Sequence, residues 1–139
     1  MKTYQTDIEI SAPPEDVWHA LTSELPTDHK PFGILRFEGA IQKGARIKLW
    51  SEVSPDRAFA LKVVTFDPPS RMVWRGGMPF GLFVGTRTFS ITPSGAGSTF
   101  QMSEVFTGPL SGMITRSMPD LTDSFTKFAQ ALKQKAEAQ

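Results

Sequence analysis

From Lys2 to Ile10, residues Tyr4, Thr6, Ile8 and Ile10 alternate with Thr3, Gln5, Asp7 and Glu9, the period-2 pattern of a strand with one solvated face. Ser11-Ala12-Pro13-Pro14-Glu15-Asp16 follows. A proline near the first helical position and two carboxylates in the first turn open a short helix through Leu21. Its Val17, Trp18 and Leu21 share one side. Pro26 to Gly33 reads as loop, and Pro31 to Leu35 is divided between turn and short helix. Six further strands are predicted over Arg36 to Ile41, Ala45 to Val53, Ala58 to Phe66, Arg71 to Gly76, Phe83 to Thr92 and Ser98 to Thr107. The breaks between them, such as Lys43-Gly44, Asp67-Pro68-Pro69-Ser70 and Ser94-Gly95-Ala96-Gly97, are rich in turn formers, and short loops imply antiparallel neighbours. Beyond Pro109 the period becomes helical, with Leu110, Ile114, Met118, Leu121, Phe125, Phe128 and Leu132 repeating at three and four residues. The reading is a helical stub from Leu110 to Met118 that continues through a kink at Pro119.

The Ser94 to Gly97 turn sets a register in which Ile91 opposes Phe100, Phe89 opposes Met102 and Arg87 opposes Glu104. The other face of that hairpin carries Thr88, Ser90 and Thr92 against Ser103, Gln101 and Thr99. The polar set belongs in water, so the face with Phe89 and Met102 looks inward, and Arg87 and Glu104 look inward with it. The same reasoning puts Met72 beside Phe89, Trp74 beside Arg87 and Val63 beside Trp74. An inward Arg–Glu pair has two readings: a mutually neutralising structural pair, or the polar anchor of an apolar small-molecule site. Met113 and Met118 are likewise either core filler or an adaptable lining.

Composition narrows the function classes. The 139 residues are 40% hydrophobic, with 11 Phe and 3 Trp, enough for one domain spanning 1–139 with its own core. Fifteen Lys and Arg against fourteen Asp and Glu leave a formal charge of +1, so no strong overall field gathers nucleic acid or an anionic membrane. Without cysteine there is no disulfide, thiolate nucleophile or Cys-ligated zinc. No leader-like apolar segment or uninterrupted apolar span appears, and the expectation is a cytoplasmic protein with no integral membrane association.

Catalytic signatures are sparse. G-x-S-x-G, H-E-x-x-H, Walker A and G-x-G-x-x-G motifs are absent. His19 and His29 match no compact metal motif, and neither a metal nor a cofactor is expected. Asp67 reads as a turn residue. Gly76, Gly77, Gly81 and Gly85 around Pro79 suit a mobile loop at a cavity mouth or a bend. By elimination Glu104 and Arg87 are the catalytic candidates, Glu104 moving a proton alpha to a carbonyl while Arg87 steadies the enolate oxygen.

The stretch Ile8-Glu9-Ile10-Ser11-Ala12-Pro13-Pro14-Glu15-Asp16-Val17-Trp18-His19-Ala20-Leu21 resembles the opening of the START/Bet v 1-like superfamily, the SRPBCC group. So do Val64 to Trp74, Gly85 to Ile91 and Ser98 to Gly108. The resemblance covers essentially the whole chain, nearest to small bacterial polyketide cyclase/dehydrase-like and lipid-transport-like proteins. It implies an α+β helix-grip fold: a curved seven-stranded antiparallel sheet around a long C-terminal helix, with an apolar cavity between them. The inward faces then assign Trp74, Arg87, Phe89, Met102, Glu104, Met118, Leu121 and Phe125 to a ligand site. Binding or carriage of a hydrophobic small molecule, such as a lipid or polyketide, ranks first, since it requires only the cavity. A polyketide cyclase or dehydratase-like enzyme ranks second, and an Hsp90-activator-like interaction module third, with no exposed apolar patch evident to support it. Oligomeric state is left open.

Overall fold

A computed structural model describes residues 2–139. Strand β1 (Lys2–Ile10) is followed by helix α1 (Pro14–His19), then by a wider π-type turn over Ala20–Glu24 and a 3-10 turn over Lys30–Phe32. Six strands come next: β2 (Ile34–Glu38), β3 (Arg46–Ser51), β4 (Ser54–Asp67), β5 (Arg71–Gly77), β6 (Val84–Ser94) and β7 (Gly97–Thr107). Helices α2 (Ser111–Ser117) and α3 (Thr122–Glu137) close the chain. The strands form one antiparallel sheet in the order β1-β7-β6-β5-β4-β3-β2. With α3 across its inner face, this is the α+β helix-grip arrangement that the sequence patterns imply.

Inward positions carry the core. Val63, Met72, Trp74, Phe89, Ile91, Phe100 and Met102 are all buried from strands β4 to β7. Helix α3 turns Phe125, Phe128, Ala129, Ala131, Leu132 and Ala136 toward them. Its Phe128 ring lies 5.1 Å from Phe32, 5.9 Å from Phe89 and 6.4 Å from Phe100, so one side chain ties the helix to the sheet and to the loop after α1. On α1, Val17 and Trp18 are buried, and the Trp18 ring meets Phe66 edge-on at 5.2 Å.

Several boundaries move. The first strand after the loop is Ile34–Glu38 rather than Arg36 to Ile41, because Lys30–Phe32 makes one 3-10 turn ended by Gly33 at φ 79 and the chain extends at once. Strand β4 begins at Ser54, inside the expected break. The two C-terminal helices are separate rather than kinked. Met118, forced out of the helical region by the ring of Pro119, sits at ψ 150. Asp120 then accepts hydrogen bonds from the Thr122 backbone N–H at 2.9 Å and hydroxyl at 2.6 Å, starting α3 afresh.

Candidate functional site

The hairpin registers bring the charged pair inside as the turn spacing requires. Arg87 is the cross-strand partner of Glu104 on β7 and of Trp74 on β5, and Trp74 is that of Val63 on β4. Arg87 donates from Nε to Oε1 of Glu104 at 2.6 Å, and its guanidinium lies 4.9 Å above the ring of Phe125 on α3. The side chains keep 23% and 14% of their exposure. Solvent therefore reaches a charged pair set in an aromatic wall, which is what makes its desolvation tolerable.

Beside that pair, the indole Nε1–H of Trp74 is buried with no hydrogen-bond partner among the described residues, although the ring packs edge-on to Phe89 at 4.7 Å. An orphaned buried donor carries the desolvation penalty of its group. It is an unpaired but fully covered donor in the row Val63, Trp74, Arg87, Glu104.

That row has a fifth member which sequence reasoning missed. Tyr4 on β1 pairs with Glu104, and its ring is 5.9 Å from Phe125 and 6.4 Å from Phe106. Alternation already placed Tyr4 on the face of Ile8 and Ile10, but the pairing of the first strand with the last has no local signal. The neighbouring row runs Leu61, Gly76, Gly85, Phe106. Two glycines side by side thin the wall there. A Cβ on Gly76 would collide with the Ala60 carbonyl and Leu61 Cδ2, and one on Gly85 would sit 3.2 Å from Phe106 Cε1 and 3.3 Å from Glu104 Oε2. Phe106 stacks in turn on Phe83 at 5.5 Å.

Of the other residues assigned to the site, Phe89, Met102, Leu121 and Phe125 are buried, and Met118 is half-buried against the same core. Met113 departs from the reading that paired it with Met118. It is 56% exposed, because α2 ends before the break that redirects the chain into α3. His19 is exposed on α1, and His29 donates from Nδ1 to the Ile34 carbonyl at 2.6 Å, fixing the 3-10 turn to β2.

Two hollows lie away from this row, both on the surface, and neither is the apolar cavity expected between the sheet and the C-terminal helix, since Trp74, Phe89, Met102 and Phe125 pack with almost no exposure. One, of about 260 Å³, is formed by Glu24, Pro31, the α3 residues Ala131, Gln134 and Lys135, and Ala138 just beyond the helix. The other, of about 550 Å³, lies on the outer side of the sheet over β3 to β5. The loop around Pro79 is pinned by hydrogen bonds from Met78 N to Phe83 O at 2.8 Å and from Leu110 N to Leu82 O at 2.9 Å. It leaves Met78, Phe80 and Leu82 exposed, so an apolar patch does reach the surface, contrary to the sequence reading.

The fold is that of a Bet v 1/SRPBCC-type helix-grip protein. The sequence model of the family described as polyketide cyclase / dehydrase and lipid transport matches residues 1–137, and the chain belongs to that family. No curated protein matches. Among solved structures, protein MLL2253 from Mesorhizobium loti is similar at TM-score 0.74 and 19% identity, with 99% of this chain and 98% of that one covered. The Aha1 dimer from Colwellia psychrerythraea aligns at TM-score 0.73 and 19% identity over 99% and 97% of the two chains. Truncated norcoclaurine synthase from Thalictrum flavum gives 0.71 and 17% over 96% and 91%. At these identities the likeness is one of fold. Among the described residues no helix is long and apolar enough to cross a membrane.

Proposed function

We propose that the protein binds a hydrophobic small molecule on the inner face of the sheet, with a polar end of the ligand held by Trp74, Arg87 and Glu104. The observation that carries this reading is the unpartnered Trp74 indole N–H beside a solvent-reached Arg87–Glu104 pair. A carbonyl, hydroxyl or carboxylate oxygen meets Arg87, which solvent reaches and which has further N–H groups to offer, and takes the Trp74 N–H once the side chains covering it move aside. The apolar body rests against Leu61, Phe83, Phe106 and Met118, over the glycine step, with Phe89, Met102, Leu121 and Phe125 behind. The family description, which joins cyclases and dehydrases to lipid transport, supports a ligand of this class. Its cyclase half also supports a second reading, in which Glu104 removes a proton alpha to a carbonyl and Arg87 stabilises the enolate.

Trp74→Phe tests the anchor, since it deletes the donor and keeps an aromatic ring. The expected outcome is binding of a long-chain fatty acid or aromatic polyketone weakened about five- to tenfold, the worth of one neutral hydrogen bond. Stability should hold or rise. Unchanged affinity for every polar-headed ligand would remove Trp74 from the site. Native mass spectrometry of protein purified from its own host identifies the ligand class.

A further inference from the structure

We infer that the outer face of the sheet over β3 to β5, together with the Met78–Leu82 loop, docks on an anionic lipid bilayer surface. The first observation is a ladder of like charges. Arg46 on β3 pairs with Lys62 on β4, and Lys62 pairs with Arg75 on β5. At the usual strand spacing, three cationic side chains start from Cα atoms within about 10 Å. Lys48 stands one row away, between Ala60 on β4 and Glu38 on β2. Like charges directly across strands destabilise a sheet, and among the described residues no carboxylate stands in the Arg46, Lys62, Arg75 row itself. All four side chains are exposed, and among the described residues none forms an ion pair. Glu38, the one acid lining the hollow, is already held by Arg36 at 2.5 Å. Ala60 and Gly77 leave the floor low, so that the cations rim a hollow of about 550 Å³.

The second observation is independent of charge. Gly76 and Gly77 line that hollow, and the chain passes directly from them into Met78-Pro79-Phe80-Gly81-Leu82. Phe80 is 98% exposed at φ 62, a backbone region that disfavours a bulky L residue. No contact within the fold explains an aromatic ring held out on a strained turn. Met78 and Leu82 flank it, both partly exposed. From Pro68 to Pro119 the only carboxylate is Glu104, which faces inward to Arg87, so no acid on β5, β6 or the loop between them opposes an anionic surface. Cations beside an apolar tip fit a bilayer, where phosphates meet the cations and the ring enters the acyl boundary. A soluble phosphate compound would account for the ladder but not for Phe80. The inference does not depend on what the inner face binds.

The test is sedimentation of the full chain with vesicles of phosphatidylglycerol in phosphatidylcholine, beside vesicles of phosphatidylcholine alone and a titration with inorganic pyrophosphate. Partition onto the phosphatidylglycerol vesicles only, falling as salt rises, is the expected result. Each cation near such a surface contributes about fivefold, so Lys62→Gln with Arg75→Gln should lower partition about 25-fold. Phe80→Ser should lower it about tenfold by removing the buried ring. Phe80→Trp should show a blue-shifted emission, relative to the parent chain, on phosphatidylglycerol vesicles alone. These side chains are exposed, and unfolding midpoints of the Phe80 variants should match the parent, while that of the Lys62→Gln, Arg75→Gln variant should match or exceed it as the cross-strand repulsion is relieved. Equal partition onto pure phosphatidylcholine, absence of vesicle binding, or a response to pyrophosphate alone each overturns the inference.

Discussion

Breaking the Arg87–Glu104 pair from its two sides should cost unequal amounts of stability. When Glu104→Gln removes the carboxylate, the Arg87 guanidinium keeps the face of Phe125 at 4.9 Å, a cation–π contact worth about 0.5–2 kcal/mol. When Arg87→Met removes the cation, Glu104 is left with no other side-chain hydrogen bond among the described residues. Removing one partner of a fully buried pair costs about 3–5 kcal/mol. Solvent reaches 23% of Arg87 and 14% of Glu104, which lowers that range. The working values are then about 3 kcal/mol for Arg87→Met and about 2 kcal/mol for Glu104→Gln. The double replacement Arg87→Met with Glu104→Gln strands no charge, and about 2 kcal/mol is expected. The coupling is therefore about 3 kcal/mol. Urea unfolding of parent, singles and double at one pH measures all four corners. Single substitutions within about 0.5 kcal/mol of the parent and no coupling would mean that the pair is solvated, and the inward register would fall with it. A larger loss for Glu104→Gln than for Arg87→Met would instead refute the role given to Phe125.

Phe125→Ala, at a buried position touching Tyr4 and Arg87, should destabilise by about 3–5 kcal/mol, read as a lower urea midpoint; an unchanged midpoint would place that side chain in solvent. Asp120 has its pKa lowered first by the Thr122 hydroxyl and next by the Thr122 backbone N–H. A carboxylate whose folded pKa is depressed adds stability above its unfolded pKa and loses it as pH falls through the folded value, so Asp120→Asn should flatten the acid limb of a thermal-melt pH series and leave its alkaline limb unchanged.

The β6–β7 register was legible because it rests on a short turn and a one-face polar pattern. A two-residue turn at Gly95 and Ala96 sets the β6–β7 register, and a one-residue slip would turn Arg87 and Phe89 outward. The pairing of β1 with β7 spans nearly the whole chain and leaves no local trace, which is why Tyr4 was missed beside Glu104. The orphaned Trp74 N–H was invisible for a related reason: a sequence names the donor but not the absence of an acceptor. Exposure of Phe80 and Met113 depends on how the loop and α2 are pinned, not on their composition.

The outer charge ladder was hidden by a further step, since a formal charge of +1 says nothing of placement. The alignment depends on one bulge. Thr65 pairs with Val73 and Val63 with Trp74, so Val64 has no partner of its own. With regular alternation back from the inward Phe66, Val64 would face the core, Val63 would face water and Lys62 would point inward. The extra residue puts Phe66 and Val63 on the same side, three positions apart, and returns Lys62 to the outer face beside Arg75. The sequence records this as a broken alternation, Leu61, Val63, Phe66. The same irregularity that keeps the core continuous through β4 therefore lines up Arg46, Lys62 and Arg75, so burial inside and charge outside are set by a single unpaired residue.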